Sequence, residues 1–371
     1  MTPQERQAWV CRMGARRDWW DSRQEPIFEP DWEVIDAHVH LWADRAFPDP
    51  SGSAEPLRTS RYLAPELLAD LAEGHRVDGL IYVECGSGYR ADGPARLRPV
   101  GEAEFALRQA EALSALGAQA GIVAAVMHAD LADPGLAGLL DAYLEIGGGF
   151  VRGVRQSGAR LEDASARLLA GAARPGLYAE PAFLRGLASL GERGLVFDAF
   201  LFHFQLGDLI ELARQAPGTT IVVNHAGAPI GGAGPAASGA RVFEAWARQM
   251  ERIADLPNLA IKLGGLASIV TGYDAHLSPR PPSSEEFLAE RGAYFRHAIR
   301  LFGPERCLFE SNFPVDSTSI GYRTLWNAYK MLASDHAPEE RRALLGENAR
   351  RIYGLGARIV HEGRGDDDVA A

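Results

Sequence analysis

Eight short apolar runs, alternating with helix-like stretches, constrain this chain most. They are Val34–His40, Leu80–Glu84, Gly121–Met127, Phe150–Arg155, Leu195–Leu201, Thr220–His225, Leu259–Leu263 and Cys307–Asn312. Several are continuous in Val, Ile, Leu and Phe, as parallel strands covered on both faces must be. The stretches Glu102–Leu116, Leu131–Ile146, Pro181–Arg193, Leu206–Gln215, Ala240–Ile253 and Ser284–Phe302 place apolar residues at i, i+3 and i+4. Thr324–Leu332 and Pro338–Tyr353 supply extra C-terminal helices. Eight such alternations match an α/β (β/α)8 TIM barrel in number and size. A doubly wound open sheet is disfavoured. The first strand-to-helix turn has no G-x-G-x-x-G, and polar residues end many strands rather than clustering at one switch point. Residues 32–362 are expected to form the barrel and 363–371 an acidic, frayed tail. Residues 1–31 are expected to form an arm whose Trp19 and Trp20 pack on the barrel.

The net charge of −11 argues against sequence-independent nucleic-acid binding, which needs a basic footprint. Three scattered cysteines (Cys11, Cys85, Cys307) with no CxxC imply no disulfide framework, so a reducing cytoplasm is the expected location. The first 24 residues are charged and lack the apolar core of a signal peptide. No run approaches the roughly 20 apolar residues of a membrane span. The expected partner is a small molecule, with homo-oligomerisation left open.

In a barrel the C-terminal strand ends build the active site. The first strand ends in His38-x-His40, and alternate residues of a strand share a face, so both imidazoles leave it side by side. Two neutral imidazoles can chelate a divalent cation or polarise a substrate. Later strands end in Glu84, His128, Arg155 with Gln156, Asp198 with His203 beyond it, Asn224–His225, Lys262, and Glu310 with Asn312. His225 is the natural partner of the pair. Some of these have a plainer reading. His203 sits in a loop and equally suits capping backbone, His128 suits capping the following helix, and Lys262 equally suits a snorkelling surface residue. Asp36 shares the parity of His38 but lies deeper, which suits a buried hydrogen-bond partner. Arg152 and Arg155 have opposite parity, and Arg155, nearer the strand end, suits anion binding.

These residues in this order resemble the amidohydrolase-related family, and within it a lactonase-like branch. The resemblance rests on His38-x-His40, on Asn224–His225–Ala226–Gly227, and on Glu310–Ser311–Asn312–Phe313–Pro314–Val315–Asp316. Glu84–Cys85, Tyr89–Arg90 and Lys262–Leu263–Gly264–Gly265 extend it. It implies a TIM barrel and hydrolysis at a carbonyl centre, often a lactone. Relatives also include decarboxylases, so a metal-dependent decarboxylase, or an impaired barrel kept as a binding protein, stands as the alternative. One departure matters. Where the family usually ends strand eight with Gly-Ser-Asp, this chain has Glu310–Ser311–Asn312, and Asn is neither a general base nor a good ligand for a dication.

The expected catalytic set is therefore His38, His40, His225, Glu310 and Asn312. The three histidines hold either the substrate carbonyl or one weakly bound Zn2+ or Mn2+, if an ion is held at all. Glu310, rather than Asp316, is expected to activate water. The substrate is expected to be a small anionic lactone held by Arg155 or Arg90, with Glu84, Asp198, His203, Lys262 and Asp316 lining its site.

Overall fold

The computed structural model describes residues 17–43, 61–161, 173–230 and 239–356. The expected tail at 363–371 lies outside them, as do residues 1–16 of the expected arm. In chain order the elements are α1 (Arg17–Asp21), β1 (Val34–Val39), α2 (Ala64–Leu71), β2 (Val77–Val83), α3 (Val100–Ala115), β3 (Gly121–His128), α4 (Leu136–Glu145), β4 (Val151–Arg155), α5 (Pro181–Glu192) and β5 (Val196–Ala199). They continue with α6 (Asp208–Gln215), β6 (Ile221–Val223), α7 (Gly239–Ile253), β7 (Leu259–Leu263), α8 (Ser284–Phe302), β8 (Cys307–Phe309), α9 (Tyr322–Ala333), α10 (Pro338–Arg342) and α11 (Asn348–Ile352). All eight strands pair in parallel in sequence order. Asn312 N donates to His38 O at 3.0 Å and His40 N to Phe313 O at 2.8 Å, which joins the last strand to the first. The fold is a (β/α)8 barrel.

The helices follow local chemistry. Ser283 caps α8, its hydroxyl accepting from Glu286 N while the Glu286 carboxylate accepts from Ser283 N, a capping box that fixes where the helix begins. The short α2 was not among the expected helices. Two apolar layers result. One lies between strands and helices. The other fills the bore with Ile35, Ala37, Ile81, Val83, Val126, Val196, Val222, Ala260 and Leu308. Ala349, near the start of α11, and Tyr353, just past its end, join this bore cluster.

The described part of the arm packs on the barrel's side. Trp20 is buried and Trp19 Nε1 donates to Ser278 O. Glu25 accepts from Ser284 N, and Asn327 donates to Pro26 O. Among the described residues no helix is long and apolar enough to cross a membrane.

Candidate active site

Strand β1 carries an irregularity that sequence parity misses. Asp36 pairs with Leu80, but Val39 pairs with Tyr82, so three steps on β1 match two on β2. The extra residue is a bulge, and it reverses which residues face inward. Asp36 and His38 therefore do not share a face. Asp36 accepts from Tyr322 Oη on α9 at 3.1 Å, from Ser311 N at 2.8 Å and from His38 N at 3.2 Å. It supports the strand from the helix side, and burial pushes its carboxyl up to about 6.

His38 and His40 converge as expected, with Nε2 atoms 3.1 Å apart. Their tautomers follow from their neighbours. His40 Nδ1 lies 2.7 Å from Val83 O, a group that only accepts, so Nδ1 carries the proton and Nε2 a lone pair. His38 Nδ1 lies 2.8 Å from Glu310 Oε2, and Arg155 Nη1 lies 3.3 Å from His38 Nε2. A carboxylate on one side and a guanidinium on the other favour the same tautomer in His38. Burial first, then the charges of Lys262, His225, His40 and Arg155, hold the His38 pKa well below its ordinary value, so the ring is neutral.

Glu310 joins this pair to the third histidine. Its Oε1 accepts from His225 Nδ1 at 2.7 Å and from His225 N at 3.0 Å. One fully buried carboxylate thus sits against two imidazoles, and the His38 and His225 rings lie 4.6 Å apart. Room for this comes from the two glycines after β7. A Cβ on Gly264 would overlap Glu310, and one on Gly265 would meet the His225 ring at 2.6 Å. Both His225 (φ 55°) and Asn312 (φ 55°) hold left-handed backbone, which is rare for residues with side chains and typical of functional turns. Strands β6 and β8 end before these residues, so Asn224, His225, Glu310 and Asn312 leave the ladder to reach across the bore.

Several expected site residues have other employment. Asp198 and Lys262 are wholly buried and pair with each other at 2.6 Å. Asp198 also accepts from Asn224 Nδ2 at 2.9 Å and from Tyr353 Oη at 2.7 Å. Lys262 is thus no snorkelling surface residue. Arg155 is not a free anion clamp: Nε donates to Glu84 Oε1 at 2.7 Å and Nη2 to Glu84 O at 2.6 Å. Arg90 is exposed and pairs with Glu104. His203 Nδ1 accepts from Ile230 N at 3.3 Å, the capping alternative for a loop histidine. Asp316, its carboxyl pushed well up by burial, accepts from Asn312 Nδ2 at 2.8 Å and from Ala267 N at 3.0 Å. Glu310, expected to activate water, is wholly buried and set against its two imidazole partners.

A divalent ion would sit where the imidazole nitrogens point. Two nitrogens each about 2.0–2.1 Å from a tetrahedral ion lie roughly 3.3 Å apart, close to the observed 3.1 Å. His38, His225 and Glu310 offer ligand atoms within 4.8 Å of one another. The Arg155 guanidinium, 3.3 Å from His38 Nε2, opposes a second cation there, and the Asn312 amide is held by Asp316. The residues fit a loosely held ion.

The strand ends open on a cavity of about 490 Å³ lined by Glu84, Tyr89, His128, Gln156, Ser157 and Arg174, among others. One supporting residue escaped the sequence reading. Glu102, near the start of α3, is fully buried, and its Oε1 accepts from Cys85 N (2.7 Å), Ser87 N (2.9 Å) and Tyr82 Oη (2.9 Å). It pins the loop that carries Glu84. In sequence it reads as an ordinary acidic first-turn residue. The available signal was its position on the apolar side of the helix, beside Ala103 and Ala106.

Comparison with known proteins agrees with this architecture. The amidohydrolase family model matches residues 35–355. The uncharacterized protein y4mH of Sinorhizobium fredii is 30% identical over 333 residues, 87% of this chain and 99% of that one. The L-fucono-1,5-lactonase of Burkholderia multivorans is 28% identical over 323 residues, 86% of this chain and 96% of that one. Among solved structures, an amidohydrolase from Burkholderia multivorans with bound zinc superposes with a TM-score of 0.66 at 25% identity, covering 88% of this chain and all of that one. A Pseudomonas putida structure described as a putative 2-pyrone-4,6-dicarboxylic acid hydrolase shares the fold, with a TM-score of 0.55 at 19% identity over 86% of this chain and 97% of that one.

Proposed function

The chain belongs to the amidohydrolase family, and on that premise we propose that it hydrolyses a small lactone at the C-terminal mouth of its barrel. The observation that carries this reading is the bridging of His38 and His225 by the Glu310 carboxylate, which presents imidazole Nε2 atoms to the site. The lactonase names of the relatives support the finer choice of bond.

The chemistry follows from the residues. His225 is the cluster member best placed to take a proton from water. Its side chain is 11% exposed, whereas His38 and Glu310 are sealed. With Nδ1–H held by Glu310, His225 Nε2 accepts the water proton as oxygen attacks the lactone carbonyl. The paired carboxylate stabilises the resulting imidazolium, the division of labour seen wherever an acid orients a catalytic histidine. Charge develops on the carbonyl oxygen and is met by N–H donors of Arg155. When the intermediate collapses the ring C–O bond breaks, and the leaving alkoxide takes the proton back from His225. The product is a hydroxy acid. A metal ion held by His38, His40 and His225 would polarise the same carbonyl.

The test is product analysis with a panel of 1,4- and 1,5-lactones in 18O-labelled water. Acid release with one label per carboxylate is expected. Release of CO2 from a carboxylated aromatic, with no lactone turned over, would replace this reading with decarboxylation.

A further inference from the structure

Among the described residues, two arginines near the candidate site are already paired. Arg155 donates to the Glu84 carboxylate and carbonyl at 2.7 and 2.6 Å, with the two side chains only 10% and 16% exposed. Arg174 meets Glu180 through a two-pronged contact, Nε to Oε1 and Nη2 to Oε2, each 2.6 Å. The adjoining cavity of about 250 Å³ holds Arg96 together with Asp130 and Asp133. Among the described residues, no cation lining either space outnumbers its acidic neighbours. The remaining polar lining of the larger cavity includes Tyr89, His128 and Ser157, groups that give or accept single hydrogen bonds.

A substrate carboxylate is recognised by a guanidinium with an open fork. Here the fork of Arg155 is filled. An incoming carboxylate would meet a guanidinium whose charge Glu84 already cancels, and must either sit against the Glu84 carboxylate or displace it and leave it partly buried without a counter-charge, a costly arrangement either way. A hydroxyl needs no such exchange. It can donate to the outer lone pairs of Glu84 or accept from an unused guanidinium N–H. The arrangement is repulsive toward one ligand class and permissive toward the other, which is how selectivity between similar ligands is built.

We infer that Glu84, with Glu180 in support, is the specificity-determining residue of this site: it cancels the arginine charge, so that the site takes an uncharged, hydroxylated lactone and rejects its carboxylated counterpart. This rests on the lactonase reading and replaces, as a proposal, the anionic substrate expected from the strand-end arginines alone. The Arg174–Glu180 pair is more open to solvent, with side chains 51% and 34% exposed, so its share is the smaller.

The experiment compares kcat/KM for matched lactones that differ only at the terminal carbon, such as galactono-1,4-lactone and the 1,4-lactone of galactaric acid, with further pairs of other configuration. The wild-type protein is expected to favour the neutral member by about tenfold or more. Glu84→Gln should move that ratio toward the carboxylated member by about tenfold, and Glu180→Gln by a smaller factor in the same direction. Because the readout is a ratio, a general loss of activity in either variant cancels. Preference of the wild type for the carboxylated member would overturn the inference while the lactonase reading stands. A neutral preference that neither substitution moves would also overturn it. Failure to hydrolyse any lactone, charged or not, would bring down the lactonase reading and this inference with it.

Discussion

Two charged clusters lie at the strand ends of this barrel, and they differ in who closes them. On one side His38, His40, His225 and Glu310 form a group in which Nδ1 contacts to Val83 O and Glu310 leave the imidazole Nε2 atoms as acceptors. On the other, Asp198 pairs with Lys262 and accepts from Asn224 Nδ2, and Tyr353 adds a third contact from just beyond α11. Both clusters are composed of residues that read as catalytic in sequence. Strand-end placement brings ionisable groups to the bore, and only the partners supplied by distant segments decide whether they are reactive or sealed.

The largest effect that would sharpen this contrast is on Glu310. Glu310→Gln keeps the volume but removes the charge that stabilises an imidazolium, so turnover should fall by about 10²–10⁴-fold with the circular-dichroism spectrum unchanged. Retained turnover would show that the imidazolium does not depend on the Glu310 charge and would end this role for the carboxylate.

Asp198 should behave in the opposite way. Asp198→Ala strands the Lys262 ammonium in the bore, and loss of one member of a buried pair costs about 3–5 kcal/mol. Urea denaturation should show that loss, with kcat per folded molecule close to wild type. An activity loss without a stability loss would erase the distinction between the clusters.

A pH effect should follow from His75, which lies just before β2 at the opposite end of the barrel and bonds Arg323 O through Nε2. Burial lowers its pKa from 6.5 to about 4. The unfolded chain therefore takes up this proton first as pH falls. Its contribution is intact above about 6.5 and is lost between 6.5 and 4, up to about 3 kcal/mol in all. His75→Gln should flatten the stability profile in that window by that amount, measured as the difference from wild type. No flattening would mean that the histidine already takes its proton in the folded protein.

The smallest effect expected is that of chelation. With Arg155 against His38 Nε2 and the Asn312 amide held by Asp316, metal removal should cost less than about threefold in kcat/KM, on the order of half a kcal/mol. Abolished activity restored by Zn2+ or Mn2+ would show that the guanidinium yields its place.

The barrel was legible because its signals are local. Apolar runs of strand length alternated with amphipathic stretches, and Ser284 followed by Glu286 and Phe287 read as a helix start, one residue past the Ser283 that caps it. The convergence of His38, His40 and His225 was legible too, since strand ends of a barrel must meet. What escaped depended on contacts across the chain. The β1 bulge that separates Asp36 from His38 is set by pairing with β2. The neutralisation of Arg155 by Glu84 joins residues 71 positions apart, and the sealing of Asp198 by Tyr353 joins residues 155 apart. Single-sequence periodicity has no access to such pairs. Asn312 in place of the expected acid was visible, but the nearness of Glu310 to two imidazoles needed the space left by Gly264 and Gly265.

Tyr353 has a consequence for the order in which the protein is made. Asp198 and Lys262 emerge from the ribosome well before the residue that caps them. Until Tyr353 is synthesised, the Asp198 carboxylate lacks the partner that its Oδ1 has in the folded barrel. A chain halted before Tyr353 would therefore offer proteases and chaperones a ring whose central carboxylate has yet to gain that partner.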